Sequence, residues 1–395
     1  HFYPHHSGEL LGGNVRVCYF GTYRAGYTRN RKMIEGLRRN GVEVIECHEP
    51  LWLGTEDRVQ VASGGWMHPS FWLRIIKVYS RLLRKYRSVG DYDVMVLGYP
   101  GQLDVPLARV LTWLKCKPLV LDMPASLYLM TQERRLLKPG SFTGFLIYCL
   151  DKMACLLPNL LIVETEEYIV WFQKTFKINK SKFCVVPLGA DDKIFKPAAA
   201  TRSDGPFLAV YYGSFLPNHG VEYIVEAARL LRNEPNIHFE LIGNGPGKAA
   251  AMALARQHNL TNITFEDWMD QEALVKRVTR ADVILGAFGA TPQSMLTVQN
   301  KIYEGLAMEK PVITGDGPSV RKLLIHGEHV YLCEQANPQS LAEAIKVLSR
   351  DPELRKSIAR KGYQLYCQEF TPLALGSLLS HYINQLVESR KIVSG

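Results

Sequence analysis

The chain has 395 residues, of which 47% are hydrophobic and 22% are charged. This is the composition of a globular protein with enough apolar material for large cores, and it excludes a disordered, collagen-like or low-complexity chain. At about 150 residues per domain, the length indicates two or three domains. The net charge of +9 favours anionic partners, such as phosphorylated small molecules, anionic lipid or nucleic acid, without choosing among them.

Cysteine spacing and hydropathy exclude further classes. The eight cysteines form no Cys-x-x-Cys pair and no zinc-like cluster, so we expect reduced thiols, a cytoplasmic protein and no bound metal. The longest apolar region, Ser141–Val163, carries Asp151 and Lys152 at its centre. Two central charges would cost about 2.5–3.5 kcal/mol each in a bilayer, so we predict a buried helix and strand there. Residues 1–13 lack a signal-peptide pattern and are predicted to be a flexible terminus.

The first half of the chain alternates continuous apolar runs with helical patterns. A strand ending at Phe20 is followed by a helix over Arg29–Arg39, a turn at Asn40-Gly41 and a second strand. This rhythm is typical of a parallel sheet covered on both faces, and it predicts a Rossmann-like N-terminal domain over residues 14–195. The predicted strands are Val15–Phe20, Val42–Cys47, Val94–Leu97, Leu119–Leu121, Leu160–Val163 and Cys184–Val186.

The same rhythm restarts after a change of composition between residues 187 and 206, which indicates a linker. A second Rossmann-like domain is predicted over residues 196–371, with a helix over residues 372–395 packing back toward the N-terminal domain. The predicted fold class is α/β, with two doubly wound domains and ligands bound beyond the carboxyl ends of their strands. The predicted strands are Phe207–Tyr212, Ile237–Ile242, Ile263–Phe265, Val283–Ala287, Val312–Thr314 and Val330–Leu332.

In the first domain, polar residues follow two of the predicted strands. Gly21 ends the first strand and allows a tight turn, and Arg24, Arg29 and Arg31 add positive charge before a helix start, where free N–H groups bind anions. A turn with solvated arginines explains the same pattern. Asp122 follows the fourth apolar run of this domain, where a carboxylate is well placed for a binding site, and capping of the next turn is the alternative.

In the second domain, two glycine-rich loops follow successive strands. Gly213 and Ser214 lead to His219 at a helix start, and Gly243 begins a second such loop. One glycine-rich loop is weak evidence, but two in succession after parallel strands indicate a phosphate-binding edge.

The most informative segment is the helix over Gln299–Met308. Lys301 and Glu304 lie three residues apart and share a polar face near the helix start. A helix N-terminus with a lysine suits a diphosphate, and a carboxylate one turn along suits paired ribose hydroxyls. A surface ion pair that contributes little to stability is the alternative.

The segment Asn300–Ile313 resembles the nucleotide-sugar signature of retaining glycosyltransferases with the GT-B fold, and most closely glycosyltransferase family 4. Residues Tyr212–Ala228, Leu241–Pro246, Ala281–Val283 and Gly327–Val330 are similar to the remaining motifs of the donor domain, in the same order. The resemblance covers nearly the whole second domain, and the first domain matches more loosely.

This resemblance implies two Rossmann-like domains facing across a deep cleft, and transfer of a sugar from a nucleotide-sugar without cofactor or metal. It implies that Glu304 holds the ribose hydroxyls and that backbone N–H groups at Thr297 and Val298 meet the diphosphate. It further implies that the loop at Gly213 flanks the diphosphate and that the region ending at Trp268 lies beside the base.

The sequence departs from the family pattern where the donor sugar is expected. The family spacing of two glutamates fails, because Leu296 stands eight residues before Glu304. Gln293 or Ser294 is the candidate to contact the sugar hydroxyls instead.

The usual basic residues of the donor loop are also absent, and Ser214 and His219 stand in their neighbourhood. Lys301 is therefore the predicted phosphate-binding charge. Asp122 lies near the position of the family's catalytic histidine or aspartate, so the predicted catalytic residues are Asp122, Lys301 and Glu304.

A basic amphipathic helix is predicted over Phe71–Arg87. Its apolar face contains Trp72, Ile76 and Tyr79, and its lysines and arginines lie elsewhere. Such a helix binds an anionic membrane surface, or packs its apolar face on the sheet with solvated charges. Peripheral attachment to the cytoplasmic membrane face is therefore an alternative to a freely cytoplasmic location.

The predicted function is a retaining, metal-independent hexosyltransferase that uses a nucleotide-sugar donor. Its acceptor is predicted to be a saccharide, glycolipid or lipid-linked intermediate of cell-envelope or polysaccharide synthesis. Alternatives are a GT-B epimerase or phosphorylase, and a transferase-like protein that binds nucleotide-sugar without turnover. No nucleic-acid-binding motif is present in the sequence, so nucleic acid is not a predicted partner.

Overall fold

The computed structural model describes residues 15–52, 65–138, 140–198 and 205–394, so the terminus predicted for residues 1–13 lies outside the described residues. The chain divides into two compact units, one reaching Pro187 and including Pro372–Gly395, the other spanning Leu188–Thr371. The second unit begins before the predicted residue 196, because the segment after Pro187 packs on it. The Tyr366 hydroxyl donates to the Ala190 carbonyl over 3.2 Å.

The first unit contains a six-stranded parallel sheet with strand order β2-β1-β3-β4-β5-β6. Its strands are β1 (Arg16–Gly21), β2 (Glu43–His48), β3 (Val94–Leu97), β4 (Leu119–Asp122), β5 (Leu160–Val163) and β6 (Phe183–Val185). Its helices are α1 (Thr28–Arg39), α2 (Pro69–Tyr86), α3 (Val105–Leu114), α4 (Leu127–Glu133), α5 (Phe142–Leu156), α6 (Glu166–Phe176) and, from the far end of the chain, α15 (Pro372–Ser394).

The direction of each crossover decides which face of this sheet a helix covers. The connection through α1 runs one way along the strand order, and those through α2 to α6 run the other way. Because parallel crossovers are right-handed, α1 lies on one face and α2 to α6 lie on the other. Helix α15 joins α1, and the core on that face combines Val17 of β1, Leu37 of α1 and Leu379 of α15.

Helices α1 and α15 cross at two glycines. A Cβ atom at Gly376 would overlap the backbone of Gly36, and one at Gly36 would overlap the Pro372 carbonyl oxygen. The Asn40 side-chain amide donates to the Leu373 carbonyl over 2.9 Å beside this crossing. The C-terminal helix is therefore fixed to the first unit by backbone-to-backbone packing that no larger residue permits.

The second unit repeats the architecture, with strand order β12-β11-β10-β7-β8-β9. Each strand predicted from the sequence is present, with its ends shifted by no more than two residues. Its strands are β7 (Phe207–Tyr212), β8 (Ile237–Ile242), β9 (Ile263–Glu266), β10 (Val283–Leu285), β11 (Val312–Gly315) and β12 (Tyr331–Cys333). Its helices are α7 (Val221–Leu230), α8 (Lys248–Gln257), α9 (Gln271–Thr279), α10 (Pro292–Leu296), α11 (Asn300–Ala307), α12 (Pro318–Leu323), α13 (Pro338–Arg350) and α14 (Pro352–Leu365).

The apolar region Ser141–Val163 forms α5 and β5, as the charges at its centre predict. Across the described ranges, none of the helices combines the length and the apolar character needed to cross a bilayer.

We expect Gly376→Ala to lower the stability of the first unit by about 1–3 kcal/mol, because even a methyl group at this crossing forces the helices apart. The midpoint of urea unfolding followed by circular dichroism measures this change. Gly26→Ala is the matched control, since a Cβ atom there meets no atom within 4 Å. Equal midpoints for the two variants would contradict the assigned packing of α15.

Candidate functional site

Two glycine loops meet at the carboxyl edge of the second sheet. Gly213 follows β7 with φ of 141°, and Gly243 follows β8 with φ of 134°, which are backbone conformations that favour glycine. A Cβ atom at Gly243 would overlap the carbonyl oxygen of Gly213, so the two loops touch backbone to backbone. The Gly213 N–H donates to the Ile242 carbonyl over 3.0 Å and holds the first loop on β8.

Lys301 lies directly beneath the first loop. A Cβ atom at Gly213 would lie 3.1 Å from the Lys301 Nζ atom, so glycine is the residue that leaves room for this ammonium. The side chain is buried, and within the described residues no carboxylate lies within ion-pairing distance of it. Burial lowers the pKa of Lys301 to about 7, and the charge of Glu304 opposes this shift. The surface ion pair considered from the sequence is therefore excluded.

An aromatic residue holds this lysine and the end of the loop together. The Lys301 Nζ atom lies 3.9 Å from the centre of the Tyr211 ring, as in a cation–π contact. The Tyr211 hydroxyl donates to the Ser214 carbonyl over 2.8 Å and lies 2.8 Å from His219 Nδ1. Lys301 Nζ is 3.4 Å from the same His219 atom. Four residues from β7, the loop and α11 thus converge on one point.

Helix α11 carries both predicted donor-binding side chains and lies close to the sheet. A Cβ atom at Gly305 would lie 2.7 Å from Val312 Cγ2, so this glycine permits the close approach. The extended residue Gln299 precedes the helix and provides no side-chain cap for its first N–H groups. Thr297 and Val298, just before it, are buried.

Glu304 lies one turn into α11 and is half-buried. Burial, with a smaller contribution from the Glu304 charge and a hydrogen bond to it, raises the pKa of Tyr212 well above its usual value. The Tyr212 hydroxyl also lies 3.5 Å from the Lys301 carbonyl. The last residue of β7 thus fixes the helix that carries Lys301 and Glu304.

Trp268 extends this edge beyond the second glycine loop. Its indole is 58% exposed, and a Cβ atom at Gly243 would lie 3.2 Å from the ring. Lys248 joins the second glycine loop to the end of β9, because its ammonium donates to the carbonyls of Gly243 and Glu266 over 2.8 Å each. An exposed aromatic face beside a glycine loop is suited to stack on a flat ring.

The two candidates for sugar contact lie on the short helix α10. Ser294 is buried, and its hydroxyl donates to the Thr291 carbonyl over 2.7 Å. Gln293 is half-buried. The serine hydroxyl is thus used within its own turn, so this geometry gives no support to Ser294 as the contact to the sugar.

In the first unit, Arg29 and Asp122 bind each other. The Arg29 Nε atom donates to both Asp122 oxygens over 2.9 and 2.7 Å, and Nη2 donates to Oδ1 over 2.7 Å. Both side chains are buried, and the guanidinium also donates to the Val186 and Pro187 carbonyls over 3.2 Å. Because each charge is matched within the fold, this geometry gives no support to a catalytic Asp122 or an anion-binding Arg29.

Gly21 also serves the fold. Its φ is 123°, and a Cβ atom there would overlap the carboxylate of Asp104. That buried carboxylate accepts hydrogen bonds from the Thr22 N–H over 2.7 Å and from the Tyr79 hydroxyl over 2.6 Å. Burial raises the pKa of Asp104 to about 6, against the effect of these hydrogen bonds. The loop after β1 is thereby joined to α2. Of the other two arginines that the sequence indicated for anion binding, Arg24 is half-buried and Arg31 is exposed.

The structure brings together Gly213, His219 and Lys301, and it joins Gly243 to Trp268 through direct contact. The backbone of Ser214 belongs to the same cluster, while its side chain is exposed. Sequence reasoning missed Tyr211. Tyr211 is an aromatic residue two positions before the loop glycine, on the face of β7 that packs into the core. The sequence pattern therefore does not distinguish it from an ordinary core residue.

Comparison with known proteins identifies the second unit. Residues 192–365 match the family model of glycosyl transferases group 1. The chain is 26% identical over 175 residues to the alpha-D-kanosaminyltransferase of Streptomyces kanamyceticus, covering 44% of each chain. It is 34% identical over 99 residues to the putative colanic acid biosynthesis glycosyl transferase WcaI of Escherichia coli strain K12, covering 24% of each. The chain therefore spans less than half the length of these curated relatives.

Solved structures identify the fold of the whole chain. Sucrose-phosphate synthase from Thermosynechococcus elongatus superposes with a TM-score of 0.71 at 16% identity, covering 95% of this chain and 100% of that one. Anabaena Alr3699/HepE in complex with UDP superposes with a TM-score of 0.67 at 14% identity, covering 94% and 100%. The chain has an α/β fold of the GT-B type, and its second unit is similar to glycosyl transferases group 1 over residues 192–365. The resemblance to glycosyltransferases with the GT-B fold, noted in the sequence, is confirmed.

We expect Asp122→Asn to destabilise the first unit by about 3–5 kcal/mol, because it leaves the buried Arg29 charge without its partner. A lower urea midpoint measures the loss. Asp91→Asn is the control, since Asp91 is 74% exposed in its ion pair with Lys117 and its removal costs little. An unchanged midpoint for Asp122→Asn would show that the ion pair does not stabilise the fold.

Proposed function

We propose that the protein transfers a sugar from a nucleotide diphosphate-sugar to a hydroxyl group, and that its second unit binds the donor. The observation that carries this proposal is the buried Lys301 ammonium beneath Gly213, in the first turn of α11. Glycine loops, a buried cation and a helix N-terminus together suit phosphate groups. The family match of this unit and the UDP bound to a structural neighbour support the same function.

In this proposal each part of the donor meets a different element of the edge. The diphosphate lies against Gly213 and the N-terminus of α11, where Lys301 and the backbone N–H groups at Thr297 and Val298 neutralise it. The Glu304 carboxylate accepts hydrogen bonds from both ribose hydroxyls, and the exposed indole of Trp268 stacks on the base.

The transfer itself requires stabilisation of the leaving diphosphate. The bond between the anomeric carbon and the β-phosphate oxygen breaks while the acceptor oxygen bonds to that carbon on the same face. The acceptor proton passes to the departing phosphate oxygen, so the step needs no side-chain base. Lys301 and the α11 dipole stabilise the developing charge without a metal ion. A product with inverted anomeric configuration would contradict this course.

Leu296 in place of an acidic residue leaves the sugar end of the site less polar than the family pattern implies. Gln293, which is half-buried, is the proposed hydrogen-bonding partner of the sugar hydroxyls. If this end cannot support catalysis, the protein binds nucleotide-sugar without turnover, and product analysis with the bound donor separates the two cases.

We expect one nucleoside diphosphate among UDP, GDP, ADP and TDP to raise the melting temperature, equally in magnesium and in EDTA. Glu304→Gln should weaken its binding about tenfold, since an amide replaces a charged acceptor of two hydrogen bonds. Glu309→Gln, at an exposed position just after the same helix, should bind as the wild type does. No shift with any nucleotide, or equal affinity for Glu304→Gln, would contradict the donor site.

We further propose that the first unit binds a saccharide or lipid-linked acceptor at an anionic membrane surface. The helix predicted over Phe71–Arg87 forms as α2 (Pro69–Tyr86), but its predicted apolar face is split. Phe71 and Leu82 are buried, whereas Trp72 and Ile76 are exposed by 50% and 62%. The exposed residues turn outward because Tyr79, which bonds Asp104, fixes the rotation of the helix.

Two other helices on the same face of the sheet also expose apolar side chains. Trp113 and Leu114 of α3 are 74% and 75% exposed, and Phe142 and Phe145 of α5 are also exposed. Helix α2 has basic residues but no acidic residue, which is complementary to anionic headgroups. Apolar side chains between basic ones are typical of a surface that lies in the membrane interface.

We expect the protein to sediment with vesicles of phosphatidylglycerol and phosphatidylcholine, and far less with phosphatidylcholine alone. The double variant Trp72→Ser, Ile76→Ser should lose most of this binding, and added salt should weaken it. The control is Ile325→Ser with Val347→Ser, which removes exposed apolar side chains from the second unit. Equal sedimentation of both double variants would contradict the assigned surface.

A further inference from the structure

The protonation states of three side chains are coupled, because Tyr211, His219 and Lys301 contact one another. The proton that one of them donates decides what its neighbour can accept. The Ser214 carbonyl can only accept, and the Tyr211 hydroxyl lies 2.8 Å from it with a single proton to donate. The Tyr211 oxygen then accepts from His219 Nδ1, which is also 2.8 Å away. In this arrangement His219 therefore carries a proton on Nδ1.

The Lys301 ammonium is 3.4 Å from this protonated Nδ1 atom. Two cationic groups at this separation repel each other, and a buried site screens the repulsion poorly. Burial, opposed by the charge of Glu304, already lowers the pKa of Lys301 to about 7. Near neutral pH, Lys301 without a bound anion therefore carries less than its full positive charge.

Among the described residues, the charged groups near Lys301 do not restore its full charge. On α11, the Glu304 charge favours protonated Lys301, but less than burial disfavours it. Burial raises the pKa of Tyr211 well above its usual value, and the charge of Glu222 on α7 raises it further. Burial likewise raises the pKa of Tyr212 on β7 well above its usual value. On α8, Lys248 is paired with Asp267 over 2.7 Å. A negatively charged ligand beneath Gly213 would supply the missing counter-charge.

We propose that Tyr211, His219 and Lys301 form one proton-accepting unit that takes up a proton from solvent when the donor's diphosphate binds. Tyr211 is its positioning residue, since its hydroxyl orients His219 and its ring supports the Lys301 ammonium. This inference rests on the proposed function, because the diphosphate is the anion concerned. It adds that donor affinity is set by the protonation of the cluster and falls as the pH rises.

Calorimetric titration with UDP in PIPES, HEPES and Tris tests this uptake. At pH 7.5 and 8.5 the terminal phosphate of UDP is ionised, so a dependence of the heat on the buffer's ionisation enthalpy reports protons taken up by the protein. We expect about half a proton or more per UDP at pH 7.5 and about one at pH 8.5. The dissociation constant should rise up to about tenfold per pH unit.

Variants separate the roles of the three side chains. Lys301→Met should abolish most of the uptake without lowering the melting temperature, because it removes a buried charge with no carboxylate partner in the described ranges. Tyr211→Phe keeps the ring but loses the hydroxyl, and should weaken UDP binding about five- to tenfold and change its pH profile. Tyr331→Phe, which removes a hydroxyl from β12, should leave both unchanged.

The outcomes distinguish this inference from the proposed function. Tight UDP binding with the same heat in all three buffers would overturn the proton uptake and leave the donor site standing. Wild-type affinity and pH profile in Tyr211→Phe would overturn its positioning role. Absence of UDP binding would overturn the uridine donor site and this inference together.

Discussion

The site depends on one buried ammonium group that the fold holds with no carboxylate partner among the described residues. Lys301 lies beneath Gly213, over the ring of Tyr211 and beside His219, in a buried part of the second unit. Burying an amine in this way costs free energy, which the empty protein reduces by lowering the pKa of the lysine. A bound anion would restore the charge, so affinity for an anionic ligand and the lowered pKa of Lys301 have the same physical origin.

Glycines make this arrangement geometrically possible. Gly305 lets α11 approach β11, Gly213 leaves room for the lysine head group, and Gly243 lets the second loop touch the first. Each of these contacts involves the space that a Cβ atom would fill. Close backbone packing therefore makes the carboxyl edge of the second sheet rigid. The Lys301 ammonium at this edge has less conformational freedom than the charge of a surface side chain.

The two units use their buried charges differently. In the first unit, Arg29 and Asp122 neutralise each other, and Asp104 is satisfied by hydroxyl and N–H donors. These groups hold loops and helices in place. In the second unit, Lys301 has no such carboxylate among the described residues, and this asymmetry favours the second unit as the place where the charge of a ligand is bound.

The strands, their parallel direction in two doubly wound units, and the helix that carries Lys301 and Glu304 were all predictable from the sequence. Apolar runs and turn residues are local signals, and they suffice for these features. The pairing of Arg29 with Asp122 joins residues 93 positions apart, and no local pattern contains it. The outward turn of Trp72 and Ile76 depends on the Tyr79–Asp104 hydrogen bond, which also arises from tertiary structure.

A crystal structure of the protein with UDP would show directly whether Lys301 binds the diphosphate. We expect a phosphate oxygen within hydrogen-bonding distance of the Lys301 ammonium, at the N-terminus of α11, with the ribose hydroxyls on Glu304. A diphosphate bound elsewhere, with Lys301 still enclosed by Tyr211 and His219 and out of contact with the ligand, would contradict it.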